Sequence, residues 1–381
     1  MDTKSLRIAF DAKRITHNAT GLGNYGRTIV AMLAHFAPEN RYELYSPDPG
    51  REELRRRLAG IPQVEFHYPR HPKHGIGKAW WRSFGIAREL TPGTDLFHGL
   101  SGELPAGLRQ QNVRSVVTIH DLIFLRFPAY YKPIDRWIYT RKFRSACRRA
   151  DRIIAISEAT KRDLIHFFGT PAEKIDVIYQ GCDKRFKQPL SEERLRDVRT
   201  RHALPEHYLL SVGSIEERKN LLLLLQANAC LAAPRHIVAV GKRTPYTQRV
   251  EQYAAAHGLG DYLHIRDHVS FDDLPAFYQG ADLFVYPSRY EGFGIPMIEA
   301  ACCGVASIGA TGSCLEEAGG PGAVYVNPDD PQELARRIEE VLANDAMRRR
   351  MIEQGRAYVT RFEPDIIAAD LLATYRRVLS D

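Results

Sequence analysis

Thirteen short apolar, β-branched runs recur along this 381-residue chain, and longer helical patterns separate many of them. The first half carries LRIAF, RYELY, VEFHY, DLFHG, SVVTIHD, RIIAIS and DVIYQG. The second carries YLLSVG, HIVAVG, YLHIRDHV, DLFVYPS, GVASIG and AVYV. Strands buried on both faces have this length and composition. Strands that alternate with helices such as TGLGNYGRTIVAMLAHF and DPQELARRIEEVLAND predict parallel sheets covered by helices on both faces.

At roughly 150 residues per domain, the length suggests two such α/β domains. The polar, proline-bearing stretch 184–206 is where the sequence predicts the break. The expected division is 1–190 and 191–360, both Rossmann-like and doubly wound, with a helix over 361–381 returning to the first domain. Ligands of such sheets bind beyond the C-terminal strand ends, so a cleft between the domains is the expected site.

Charge separates the halves. Residues 1–190 carry 32 Lys and Arg against 19 Asp and Glu, and residues 191–381 carry 21 against 27. A basic first half suits an anionic partner, although scattered solubilising charge is the plainer reading. The charged N-terminus does not read as a signal peptide, and no run approaches the roughly 18 apolar residues of a membrane helix. Six cysteines without a CxxC pair argue against a zinc site or disulfide framework and fit a reducing cytoplasm.

Chemistry concentrates in SRYEGFGIPMIEA, residues 288–300. A strand ends near Tyr286, the chain turns through Gly292 and Gly294, and Pro296 fits the first position of a helix. Amides near Gly292–Met297 at the positive end of a helix dipole make a phosphate cradle. Glu291 in the turn and Glu299, expected in the first helical turn, cannot bind phosphate but accept hydrogen bonds from sugar hydroxyls. A ligand with phosphates in the middle and hydroxyls at each end, a nucleotide sugar, satisfies this pattern. The plainer alternative has Glu299 complementing the dipole and Glu291 solvated. In SVGSIEERKNL a strand ends at Gly213, and Arg218 and Lys219 then place two cations on the same sheet edge, fit to stabilise a leaving diphosphate.

ERKN after a glycine strand end, followed by PSRYEGFGIPMIEA with two glutamates eight apart, resembles the retaining nucleotide-sugar glycosyltransferases of glycosyltransferase family 4. The resemblance implies the GT-B fold: two Rossmann-like domains facing across a deep cleft, the first binding acceptor and the second the nucleotide sugar. It implies that Arg218 and Lys219 bind the donor diphosphate. Glu291 would hold the donor sugar, Gly292, Phe293 and Gly294 would offer amides, Glu299 would hold the ribose, and Val269 would lie near the base. His120 in VVTIHDL matches the family's active-site histidine, at a strand end that points into the cleft. TGLGNYGR, with Gly21 and Gly23, resembles the family's N-terminal glycine loop, especially in mannose-transferring members. Its distance from the first strand argues against a dinucleotide site.

The implied reaction is retaining hexosyl transfer, with GDP-mannose as first choice of donor, in synthesis of lipopolysaccharide or another surface polysaccharide. The cations make a metal unnecessary, and no cofactor is expected. The acceptor would be a glycan or a polyprenyl-diphosphate-linked glycan. Lys78, Trp80, Trp81 and Arg82 in KHGIGKAWWR, with Arg141, Lys142, Arg144, Arg148 and Arg149 in RKFRSACRR, suggest contact with the acceptor or with an anionic membrane at the inner face of the cytoplasmic membrane. Core tryptophans and solvated arginines are the plainer reading there. Alternatives are a UDP-sugar-dependent transferase, an epimerase of the same fold, for which no acid–base carboxylate set is visible, or a non-catalytic nucleotide-sugar binder. No nucleic-acid motif is recognisable.

Overall fold

A computed structural model describes residues 5–71 and 73–380. The chain divides into two units. One holds the described residues up to Gln180 and those from Pro364 onward, and the other holds Gly181–Glu363.

The first unit contains β1 (Arg7–Asp11), β2 (Arg41–Tyr45), β3 (Val64–His67), β4 (Leu96–Gly99), β5 (Arg114–Ile119), β6 (Arg152–Ala155) and β7 (Ile175–Val177). They form one sheet in the order β3-β2-β1-β4-β5-β6-β7, and every pairing is parallel. The second unit contains β8 (Leu209–Val212), β9 (Ile237–Val240), β10 (Leu263–Arg266), β11 (Leu283–Tyr286), β12 (Ser307–Ala310) and β13 (Ala323–Val326). Their order is β10-β9-β8-β11-β12-β13, again all parallel. Each strand coincides with one of the thirteen apolar runs, and β1, β5, β7 and β12 reach one residue beyond theirs. Parallel strands covered on both faces bury nearly every residue, so they stand out as continuous apolar stretches.

The division lies after Gln180, ahead of the polar stretch 184–206. That stretch folds into the second unit. Phe186 is fully buried, and the helix Glu192–Arg201 sends Arg194 and Arg201 to Asp273 at 2.7 and 2.9 Å. Arg185, Lys187, Arg194, Asp197 and Arg201 form ion pairs, so a stretch as polar as a linker is folded into the unit.

The helix Pro364–Ser380 belongs to the first unit, where Ile367, Leu371, Tyr375 and Val378 join the core around β1 and the helix Gly21–Phe36. The Tyr375 hydroxyl meets His98 Nδ1 at 2.7 Å, and Arg377 reaches Asp176 at 2.8 Å. His98 Nε2 meets the Thr118 hydroxyl at 2.8 Å, and Thr118 in turn meets Tyr25 at 3.2 Å.

Candidate functional site

In each sheet the strand order reverses direction once, between β1 and β4 and between β8 and β11. The loops that leave adjacent strands at such a point part to opposite sides and open a crevice. In the second unit these are the loops after β8 and β11. They carry Arg218–Lys219 and Glu291.

Gly213 follows β8 with φ +144°, and the Lys219 stem passes over it at 3.4 Å from where a Cβ would stand. A short 3₁₀ turn, Glu217–Lys219, presents the two cations. Asn220 closes the turn with φ +60° and is buried. Its Nδ2 donates to the Pro287 carbonyl at 3.2 Å and the Pro328 carbonyl at 2.8 Å. Short polar side chains tolerate this left-handed conformation best. Ser288 Oγ and the Arg289 amide both donate to the Arg218 carbonyl, at 3.2 and 2.9 Å, so the loop is stapled to the β11 end.

Glu291 is buried, and four donors converge on its Oε1: Arg218 Nη1 at 2.7 Å, Lys219 Nζ at 2.7 Å, the Tyr286 hydroxyl at 3.1 Å and Ser288 Oγ at 2.5 Å. Burial alone would raise its pKa. The charges of Lys219 and Arg218, with hydrogen bonds from Lys219 and Ser288, outweigh this and hold the carboxyl at about 2. Glu291 is therefore ionised at any physiological pH. Among the described residues nothing donates to its Oε2, which leaves one anionic oxygen to accept a ligand hydroxyl.

The next helix runs Ile295–Cys303. Gly294, its N-cap, has φ +112°, and a Cβ there would lie 2.8 Å from the Leu315 side chain, so only glycine fits. No side chain caps this helix, which leaves amides at the positive end of its dipole. The Phe293 side chain is buried, edge-on to Phe362 at 5.4 Å, so only its backbone can serve a ligand.

Two expected positions shift. Pro296 is the second helical residue, and Glu299 lies beyond the first turn because the helix begins at Ile295. Glu299 is buried and accepts from the Tyr278 hydroxyl at 2.8 Å through Oε2. Burial raises its pKa, the Tyr278 hydrogen bond partly offsets this, and the Asp183 charge adds to the rise; the result is about 7. The two glutamates are thus driven apart, one a fixed anion and the other poised to titrate near neutrality. Val269 is half-buried in the loop after β10, at the same sheet edge.

The first unit holds the other expected residues. His120 follows β5, its Nε2 meets the Leu100 carbonyl at 2.9 Å, and its ring stands edge-on to Tyr25 at 4.6 Å. Burial pushes the imidazole down to about 4. A carbonyl only accepts, so the neutral ring carries its proton on Nε2 and offers Nδ1 as an acceptor. The glycines of the first loop differ from each other. Gly21 opens the helix Gly21–Phe36 with nothing near its Cβ position, whereas a Cβ on Gly23 would lie 1.8 Å from the Asn18 carbonyl. Gly23 is therefore needed for close packing of the loop on its own helix.

The stretch 78–82 does not present the surface expected of it. Trp81 is 1% exposed, and Arg82 is buried against Asp11 at 2.5 Å and Glu103 at 3.3 Å. Lys78 pairs with Asp48 at 2.6 Å, and only Trp80 is half exposed. Trp81 buries because its ring lies on Gly85, where any side chain would collide with it.

Tyr286 and Ser288, which fix Glu291, Tyr278, which fixes Glu299, and Asn220 were not among the residues expected at the site. Tyr286 and Ser288 stand two apart at a strand end, on the face that Glu291 joins, and that spacing was the available signal.

Two doubly wound parallel sheets, of seven and six strands, with paired cations and carboxylates at one switch point, are the GT-B fold. The family model "Glycosyltransferase Family 4" matches residues 25–186, and "Glycosyl transferases group 1" matches residues 195–358. The chain belongs to the family 4, group 1 glycosyltransferases. It is 30% identical over 288 residues to the serotype-specific mannosyltransferase WbdA of Escherichia coli, a match over 73% of this chain and 35% of that protein. The chain thus spans about a third of WbdA's length. It is 26% identical to the O-antigen chain mannosyltransferase B of Escherichia coli over 97% of this chain and 100% of that one. Its fold matches sucrose-phosphate synthase from Thermosynechococcus elongatus with a TM-score of 0.77 at 22% identity, over 98% and 99% of the two chains.

Proposed function

We propose that the protein transfers a hexose from a nucleoside-diphosphate sugar to a glycan or polyprenyl-diphosphate-linked acceptor, with retention of anomeric configuration. The observation that carries this reading is the buried Glu291, held through one oxygen by Arg218 and Lys219 and open through the other. When a diphosphate arrives, the two cations that neutralise Glu291 acquire a second set of anionic oxygens and stabilise charge as it builds on the leaving group. Uncapped amides at Gly294–Ile295 add to this. Glu291 Oε2 orients a sugar hydroxyl, and Glu299 accepts from the ribose. His120 is assigned the donor-sugar contact on its motif, as a neutral hydrogen-bond acceptor. The acceptor hydroxyl adds to the anomeric carbon on the face that the diphosphate leaves, and its proton passes to the departing phosphate.

GDP-mannose is the first donor to test, because the two curated relatives are named mannosyltransferases. The basic first unit suits an acceptor that carries phosphate. Surface polysaccharide synthesis at the inner face of the cytoplasmic membrane is the setting in which such acceptors are met.

The test is incubation of purified protein with labelled GDP-mannose or UDP-glucose and a lipid-linked glycan fraction, with the anomeric configuration of the product read by nuclear magnetic resonance. Mannose incorporation in the donor's own configuration supports the proposal. Transfer from UDP-glucose alone replaces the donor, and no transfer from either refutes the enzyme reading.

A further inference from the structure

Seven of the eleven large apolar side chains exposed among the described residues fall in two segments of the first unit: Ile76, Trp80 and Phe84, and Ile134, Trp137, Ile138 and Tyr139. Chance scatter would spread them over the surface. The second group lies on the helix Pro133–Arg149, of which only Ala146 and Cys147 are buried. One side of this helix packs inward through Phe143, 5.3 Å from Phe124 between ring centres, and Tyr139, still 39% exposed, flanks Phe124 at 5.8 Å. Ile134, Trp137, Ile138 and Arg141, at i, i+3, i+4 and i+7, share the opposite face, and Arg144 and Arg148 continue it. Ile134 is 60% and Trp137 is 56% exposed. The Arg141 guanidinium lies over the Trp137 ring at 4.9 Å.

The two segments are tied together. Glu103 takes Lys142 of this helix through Oε1 and Arg82 through Oε2, both at 3.3 Å. Arg82 sits between exposed Trp80 and exposed Phe84, whose rings are 5.9 Å apart.

We propose that this face, the helix Pro133–Arg149 with Ile76, Trp80 and Phe84, docks the protein on an anionic lipid surface. The helix lies in the interface plane, Ile134, Trp137 and Ile138 enter the headgroup region, and Arg141, Arg144 and Arg148 meet lipid phosphates. Charge chooses a bilayer over a second copy of the chain: the arginine row repels its own image but complements an acidic leaflet. At 17 residues, with arginines throughout its second half, the helix can lie on a membrane but not cross one. The contact thereby moves off Trp81 and Arg82, which are buried.

The test is co-sedimentation of the full chain with phosphatidylcholine vesicles, with and without phosphatidylglycerol, at low and high salt. The expected result is binding to the anionic vesicles alone, weakened by salt. Each cation at such a surface contributes about fivefold, so the double variant Arg141→Gln, Arg144→Gln binds roughly 25-fold more weakly. Trp137→Ser also weakens binding, and Ile366→Ser, on an exposed position elsewhere in the same unit, leaves it unchanged. All four positions are at the surface, so thermal unfolding of the variants checks that folding is intact. Equal binding by wild type and the double variant overturns the proposal. So does a dimer in sedimentation equilibrium that Trp137→Ser dissolves, since the face would then be a self-interface. The assay measures binding without sugar transfer, so its outcome is independent of the proposed enzyme activity.

Discussion

Glu299→Gln separates the cost of a buried carboxyl from its use. The folded protein holds this group at about 7, and the ordinary value is 4.5. Between those values the folded state keeps a proton that the unfolded chain has lost, so stability falls as pH rises through that window. One pKa unit corresponds to about 1.4 kcal/mol, which makes the total about 3 kcal/mol, complete just above pH 7. Glutamine keeps an oxygen for the Tyr278 hydroxyl and has nothing to ionise. The variant therefore matches the wild type near about pH 4.5 and exceeds it by about 3 kcal/mol at about pH 8. For a unit of this size that is roughly 6–12 °C in unfolding midpoint. Melting curves of both proteins across this range provide the assay. The same variant weakens nucleotide binding, because ribose hydroxyls favour the ionised carboxylate; in the wild type, affinity rises with pH up to about 7 and then levels off. Parallel stability curves for the two proteins would refute the assignment of a raised pKa to Glu299 and the role derived from it.

Other consequences are equally direct. Lys219→Ala removes a cation from the leaving-group side and lowers turnover by about 10²–10³, measured under saturating donor; near-normal turnover would remove Lys219 from the mechanism. Tyr375→Phe leaves His98 Nδ1 buried without its partner and costs about 1–3 kcal/mol in denaturant unfolding, whereas an unchanged midpoint would mean that the C-terminal helix does not depend on this contact. Gly294→Ala forces a side chain into φ +112° and toward Leu315, so it lowers both stability and donor affinity; a variant that binds donor normally would show that the turn can relax.

The strands were legible because burial on both faces favours apolar residues, and β1 to β13 all overlap apolar runs. The cations at 218–219 and the carboxylate at 291 were legible as a pair because adjacent parallel strands deliver their following loops to one edge. What the sequence hid was orientation. Trp80 and Trp81 are neighbours in one helical stretch, about 100° apart around its axis, so a surface that takes one excludes the other. The sequence could not say that Gly85 would draw Trp81 inward. The row Ile134, Trp137, Ile138, Arg141 had helical spacing but no sign of which face was outward, because Phe143 on the inner side looks just as apolar. Glu299 was misplaced by the helix start, a boundary that Pro296 alone does not set. The donors that hold each carboxylate, Tyr286, Ser288 and Tyr278, were indistinguishable from core aromatics and turn residues until the fold brought them together.

Calorimetric titration of the purified protein with GDP, GDP-mannose, UDP and UDP-glucose shows whether the edge built by Arg218, Lys219, Glu291 and Glu299 binds a nucleoside-diphosphate sugar. Selective binding of the guanosine nucleotides is expected, abolished by Glu291→Ala and weakened by Glu299→Gln. No binding of any of the four would contradict the donor site proposed for this edge.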